Sequence, residues 1–229
     1  MESDKKFKLW ASIYKKESKE GTDLMWPSET LVRLFKGNYI SSLDKNYDGK
    51  KVIDIGFGNG NNLVFLATLG LELYGIEVDG EICDAVRTKI SGLGYSCDLR
   101  ISSNSSMPFE DDEFDYLVSW NVIHYEDNEE KMQQAIKEYH RVLKPGGRFF
   151  ISTTGPEHLI LKDSIALAGH RYRIGKEDDF RKGQVFYYFD TPENIQHHFS
   201  KLFRNVMVGR THDFLMTDTL DWFIITGIK

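Results

Sequence analysis

Between Val52 and Asn62 the chain reads VIDIGFGNGNN, a carboxylate set directly ahead of a bend built from alternating glycines. Val52, Ile53 and Ile55 predict a short buried strand ending at Asp54, and Gly56, Gly58 and Gly60 predict a tight turn. Leu63, Phe65, Leu66 and Leu69 then recur at helical spacing. Glycine lets the bend adopt positive φ and lets a ligand approach the main chain without meeting a Cβ. A strand, bend and helix in this order is a building unit of α/β folds.

Two kinds of ligand compete for such a bend. A dinucleotide fingerprint needs a third glycine where Asn61 stands, and it seats a pyrophosphate over the helix N-terminus. Asp54 would repel that pyrophosphate and attract an ammonium group through a charge-assisted hydrogen bond. The ligand is therefore expected to be cationic at this end. LELYGIE, Leu71 to Glu77, alternates as a second strand and ends in another carboxylate. Glu77 follows the first glycine by roughly 20 residues, the spacing at which an acid meets ribose hydroxyls in nucleotide folds. The competing reading is that Glu77 and Asp79 cap the helix that opens at Gly80, where the helix dipole favours acids.

Two further blocks follow: MPFEDDEFDYLVSWNVIHY from Met107 to Tyr125, with FDYLVSW as its strand, and RVLKPGGRFFIST from Arg141 to Thr153. The four blocks in this order, over about residues 50–155, resemble the class I S-adenosylmethionine-dependent methyltransferases of the small-molecule type. That resemblance implies S-adenosylmethionine as cofactor. It places Asp54, Gly56, Phe57, Gly58, Asn59, Gly60 and Val78 among the cofactor-binding residues, with Glu77 at the ribose. It also implies Ser103 and Asn104 toward the adenine, and the backbone of Ser119 and Trp120 along the methionine. The family commonly has an acid after the third strand, where this chain reads ISSNSSMPF, Ile101 to Phe109. Asn104 can donate to and accept from an adenine edge and Met107 can supply an apolar contact, but turn chemistry selects the same Ser and Asn.

Strands expected near 51–55, 72–77, 97–102, 114–120 and 147–153 alternate with helices, which implies a parallel sheet with right-handed crossovers. The clearest helix spans 128–143, with Met132, Ala135, Ile136, Tyr139, Val142 and Leu143 on one stripe and Pro145-Gly146-Gly147 ending it. A helix from Pro192 to Phe199 and strands at about 203–211 and 220–228 complete the fold expected of the family. The fold class is thus α/β: a doubly wound, seven-stranded, mostly parallel sheet with an antiparallel C-terminal hairpin, preceded by N-terminal helices. In that N-terminal part Phe7, Trp10, Ile13 and Tyr14 fall at helical spacing. Ser28, after Pro27, is placed to cap a second helix whose buried face is Leu31, Val32, Leu34 and Phe35. Trp26 or Tyr14 is either a lid over the cofactor, as such helices often provide in the family, or a packing residue.

The chain reads as a single domain, 1–229: a helical cap at 1–48, a cofactor-binding core at 49–155, an acceptor-side insertion at 156–190, and a C-terminal helix and strands at 191–229. Around the insertion, GPEHLILKD predicts a short helix, GHRYRIGKEDDFRKG is polar, and VFYYF is aromatic. An insertion at this point belongs beside the strand C-termini, where open α/β sheets bind ligands, so acceptor specificity is expected there.

The net charge of −6 opposes a nucleic-acid partner, because phosphate binding relies on clustered Lys and Arg. Cys83 and Cys97 are too few for a disulfide scaffold and lack metal-site spacing, so both are expected reduced in or near the core, with no metal. No apolar run reaches membrane-spanning length and MESDKKFKLW carries no apolar leader core, so a cytoplasmic protein without membrane attachment is expected.

Methyl transfer from a sulfonium is an in-line displacement, in which the protein chiefly holds the acceptor at attack distance. A neutral hydroxyl or amine acceptor must also lose a proton. His124, following the fourth strand in SWNVIHY, is the candidate base, or else a hydrogen-bonded wall residue. His170, Arg171, Tyr172 and Arg173 could grip an anionic acceptor or form a solvated loop, and Tyr187 and Tyr188 could line the acceptor site or a half-buried strand. The leading expectation is methyl transfer to an oxygen or nitrogen of a small molecule. A non-catalytic cofactor-binding or partner subunit of the same fold ranks second and a nicotinamide-dependent oxidoreductase third.

Overall fold

The computed structural model describes Ser12, Lys16 and residues 26–177 and 179–229. Helical placement of Phe7, Trp10, Ile13 and Tyr14, and the lid reading of Tyr14, lie outside the described residues. Two compact units make up the chain: Met1–Ser103 with Phe114–Val118, and Asn104–Glu113 with Ser119–Lys229.

In the first unit the apolar runs form strands β1 (Lys51–Ile55), β2 (Glu72–Glu77) and β3 (Cys97–Ile101). β1 pairs with β2, and β2 with β3, in parallel. Parallel strands need crossovers, supplied by helices α2 (Asn61–Ala67) and α3 (Gly80–Gly92). Asp79 caps α3 by accepting from the amides of Glu81 and Ile82. Helix α1 (Glu29–Lys36) buries Leu31 and Phe35, while Val32 and Leu34 are half-buried. Phe35 packs edge-on to Phe65 at 6.0 Å and to Tyr116 at 5.9 Å, which fixes α1 within this unit. Ser28 precedes α1 but its side chain makes no cap bond; its amide instead donates to Asn62 Oδ1 at 3.1 Å, tying α1 to the start of α2. Trp26 is 81% exposed and is thus not a packing residue.

The remaining elements are β4 (Phe114–Trp120), α4 (Glu129–Val142), β5 (Leu143–Thr154), three short strands β6 (Ile165–Leu167), β7 (Arg171–Arg173) and β8 (Val185–Tyr187), α5 (Pro192–Phe199), β9 (Arg204–Leu215) and β10 (Asp218–Ile228). The strand order β3-β2-β1-β4-β5-β10-β9 is a seven-stranded mixed sheet, with β10 antiparallel to both β5 and β9. This is the expected α/β methyltransferase fold, and it reverses direction of growth between β1 and β4. The stripe on α4 is fully buried, as its spacing predicts. That helix stops at Val142, however, and Leu143 already enters β5, so Pro145-Gly146-Gly147 opens the strand rather than ending the helix.

The segment around 154–190 departs most from expectation. GPEHLILKD yields only a one-turn 3₁₀ helix, Leu159–Leu161. The stretch expected to be a polar loop contains β7, and the aromatic run contains β8, the two joined with β6 in a three-stranded antiparallel sheet. Tyr172 and Tyr188 pack edge-on at 5.0 Å there. Among the described residues, no helix is long and apolar enough to cross a membrane, and no group of three or more His, Cys, Asp or Glu is placed to hold a metal ion. Cys83 and Cys97 are free thiols, buried and half-buried respectively.

Candidate functional site

In the first unit the glycine bend has the geometry its sequence requires. Gly56, Gly58 and Gly60 have φ of 62°, 51° and 73°. A Cβ on Gly60 would lie 2.5 Å from Val86 Cγ1 on α3, so this position is closed to larger residues on two counts. Asn61, at the third-glycine position of a dinucleotide loop, begins α2 and accepts from Lys89 Nζ at 2.7 Å, and the same ammonium donates to the carbonyl of Asn59. Asn61 thus anchors the bend to α3.

Two buried carboxylates stand behind the bend. Glu77, 3% exposed, accepts from the amide of Gly58 at 3.1 Å and from that of Val78 at 2.8 Å. Burial raises its pKa, and those two amides offset part of the effect. Asp54 is 1% exposed and its Oδ2 has no hydrogen-bond partner. Burial first, and the Glu77 charge second, push Asp54 well above the usual carboxylate range. A buried acid with an unpaired oxygen and a like charge nearby has the chemistry to pair with a cation. Asp54, Gly58, Glu77 and Val78 are therefore one cluster, with Phe57 buried and Asn59 half-buried on the bend between them. Asp79 does not join it and caps α3 instead. Ser103, half-buried, ends this unit.

The second unit carries the other residues singled out in sequence. Asn104 is buried and donates to Glu126 Oε1 at 3.0 Å, a partner the sequence did not reveal. Ser119 has its hydroxyl 3.0 Å from that of Tyr139. Trp120 is half-buried and Met107 buried. His124 lies buried in a 3₁₀ turn, Ile123–Tyr125. Its ring stacks on Tyr125 at 4.9 Å, with Phe186 at 5.4 Å and Trp222 at 6.2 Å. The amide of Tyr187 donates to the Glu126 carbonyl at 2.7 Å, which ties this turn to β8.

Arg171 and Arg173 sit on β7 rather than in a loop, and Arg171 Nε donates to the Ala168 carbonyl. His170 Nδ1 lies 3.7 Å from Asp190 Oδ2. Tyr187 and Tyr188 are buried, with the Tyr187 hydroxyl 3.3 Å from His198 Nε2.

Sequence reasoning passed over a further group around Trp222. His158 packs edge-on to that ring at 4.1 Å. Asp221, fully buried, is clamped by Arg210 at 2.6 Å and accepts from the amide of Glu157 at 2.8 Å, fixing the turn that presents His158. A Cβ at Gly155 would lie 2.4 Å from Asp221 Cγ, so the turn needs glycine. The sequence signal was Asp221 within the apolar run from Leu220 to Ile225.

Residues 53–151 match a family of proteins described as a methyltransferase domain. A probable tRNA methyltransferase 9B of Mus musculus is 31% identical over 140 residues, 61% of this chain and 28% of that protein. A sterol 4-C-methyltransferase of Caenorhabditis elegans is 33% identical over 101 residues, 43% of this chain and 29% of that protein. The chain thus spans less than a third of the length of these relatives. Among solved structures, an S-adenosylmethionine-dependent methyltransferase of Methanosarcina mazei superposes with a TM-score of 0.65 at 18% identity, covering 82% of this chain and 95% of that one. The phosphoethanolamine N-methyltransferase 2 of Haemonchus contortus, in complex with phosphomonomethylethanolamine and S-adenosylhomocysteine, superposes at 0.63 with 16% identity, over 87% of this chain and 51% of that one.

Proposed function

We propose that the chain, whose residues 53–151 match a methyltransferase domain, is a class I S-adenosylmethionine-dependent methyltransferase that moves a methyl group to an oxygen or nitrogen atom of a small molecule. The observation that carries this reading is the buried Asp54 carboxyl with its unpaired Oδ2 beside the positive-φ glycines. Bound there, S-adenosylmethionine supplies a methyl group on a sulfonium, which an attacking lone pair takes as the carbon–sulfur bond breaks.

The chain's own residues fit that cofactor. Asp54 accepts the amino-acid ammonium, whose charge removes the penalty on ionising this buried acid. Glu77, oriented by the Gly58 and Val78 amides, keeps lone pairs for two ribose hydroxyls. Gly56, Gly58 and Gly60 let the main chain approach the ligand, and Phe57 and Asn59 shape the bend. A pyrophosphate placed here would meet two carboxylates, which argues against a nicotinamide cofactor.

His124 is assigned to the acceptor's proton. Its ring lies at the turn after β4, packed against Tyr125 and Phe186, where the sequence expects the acceptor. Support for a small-molecule acceptor comes from the net charge of −6, unsuited to a polyanion such as tRNA, and from the ordered insertion carrying β6–β8.

Incubation with methyl-labelled S-adenosylmethionine and fractionated cell metabolites is expected to put the label on a low-mass oxygen or nitrogen compound, and His124→Ala is expected to slow transfer without loss of cofactor affinity. Label appearing only in RNA or protein would overturn the small-molecule reading.

A further inference from the structure

Three buried polar atoms near the carboxyl end of β5 have no hydrogen-bond partner: Thr153 Oγ1, Thr154 Oγ1 and His158 Nε2. Buried polar groups are nearly always paired, so such a concentration within six residues calls for a cause. Thr153 stands opposite Phe223 and Thr154 opposite Trp222 in the β5–β10 ladder. Because side chains alternate across a strand, Thr154 and Trp222 share one face and Thr153 lies on the other. His158 packs on the same Trp222 ring at 4.1 Å.

The histidine's protonation is set by the fold. Its Nδ1 accepts from the Ile160 amide at 3.0 Å, so the ring proton resides on Nε2, and Nε2 is a donor. The ring is 5% exposed, and burial together with the nearby Arg181 charge pushes it down to about 4, keeping it neutral at physiological pH. The charged groups that act on it are Arg181, Lys176, Asp221 and Asp179, two of each sign. Asp179 is paired with Arg181 and Asp221 with Arg210. Both acids that act on the ring are thus already ion-paired. The His124 ring lies 6.2 Å from Trp222 and packs in turn against Phe186, which packs against Tyr125, so an aromatic cluster begins beside the Trp222 ring.

We propose that Thr154 Oγ1 and His158 Nε2–H, set against Trp222, form the subsite that selects the methyl acceptor: an uncharged planar molecule bearing a hydroxyl or carbonyl oxygen. The subsite rests on the methyltransferase reading above and adds its substrate class. His158 acts as a fixed donor to the ligand oxygen, and its Nδ1 lone pair is already used, so it is not the base. Thr154 supplies the complementary donor or acceptor, and Trp222 rejects non-planar shapes.

The test uses 2-naphthol as probe and naphthalene as the same plane without oxygen. Both are titrated into the full chain with S-adenosylhomocysteine present, following tryptophan quenching, and Trp222→Phe identifies the responding ring. The naphthol is expected to bind at least about tenfold more tightly, since a site with buried polar groups rejects an analogue that leaves them unpaired. Thr154→Val and His158→Phe are expected to bring that ratio to about two, and His158→Gln, whose amide reaches the Nε2 position, to restore it. Equal binding of the two probes, no binding of either, or a ratio unchanged in both variants would overturn the subsite. Calorimetry of S-adenosylhomocysteine on the same samples separates the two ideas: its failure counts against the methyltransferase reading, whereas its success with a failed naphthol ratio counts against the subsite alone.

Discussion

The glycine bend and the Trp222 group are both buried, both hold unpaired polar atoms, and differ in charge. At the bend the unsatisfied group is an acid, Asp54, with a second acid beside it. Around Trp222 it is a neutral imidazole and a hydroxyl among balanced charges. One protein interior thus prepares two kinds of recognition: the bend suits a cation, and the Trp222 face suits an uncharged oxygen. The two also respond to pH with opposite sign, which makes the contrast measurable.

The largest expected effect tests whether the two regions act on separate ligands. Asp54→Ala and Glu77→Ala each remove a buried charged acceptor and are expected to weaken S-adenosylhomocysteine at least about 100-fold, about 3 kcal/mol for a charged hydrogen bond. Thr154→Val is expected to leave that affinity within about twofold. Calorimetry on the three variants decides it, and an effect of Thr154→Val as large as that of Asp54→Ala would erase the distinction.

Next comes the pH response of the Trp222 group. Burial pushes His158 down to about 4 in the folded chain from its ordinary 6.5, so the unfolded chain takes up its proton first as pH falls. The stability it contributes is complete above 6.5 and is lost progressively down to about 4, in total about 3 kcal/mol at 1.36 kcal/mol per unit. Urea unfolding at a series of pH values is expected to show wild type losing this much more than His158→Gln across that window. Parallel curves would show that the ring is not held neutral.

Asp54 has the reverse sign. Its folded pKa is raised, so its favourable contribution exists below the ordinary value of 3.8 and is lost as pH rises through the folded value. At neutral pH, Asp54→Asn, which cannot carry the buried charge, is expected to stabilise the cofactor-free protein while abolishing cofactor binding. Wild type is also expected to release a proton when S-adenosylhomocysteine binds, seen as a dependence of the calorimetric heat on buffer ionisation, and Asp54→Asn to release none. A destabilised Asp54→Asn would mean that the acid is already paired.

The two regions also differ in how much of them can be read from the chain. Asp54, the glycines and Glu77 are legible because one strand–turn–helix unit and the next strand end place them, and local spacing sets that geometry. The α4 stripe is legible for the same reason. The Trp222 group is not, because Thr154 and Trp222 meet through antiparallel register between distant segments. His158 looked like one residue of a short helix, and its role depends on the Asp221–Arg210 clamp. β6, β7 and β8 are three residues each, too short for periodicity to rise above their polar composition.

The smallest expected effect bears on the one acid near the bend that belongs to neither ligand. Asp79 Oδ1 accepts from the amides of Glu81 at 2.9 Å and Ile82 at 3.2 Å, which commits that oxygen to the first turn of α3. Glu77, two residues earlier, accepts instead from Gly58 across the bend, so chain position alone does not divide cap from ligand; the direction of each carboxylate does. Asp79→Ala is expected to cost about 1 kcal/mol in stability, the usual value of an N-cap, with cofactor affinity within about twofold of wild type. Asp79→Asn, which still accepts from those amides, is expected to recover most of the loss. A fall in affinity with no change in unfolding midpoint would move Asp79 into the cofactor cluster and leave the bend with three acids rather than two.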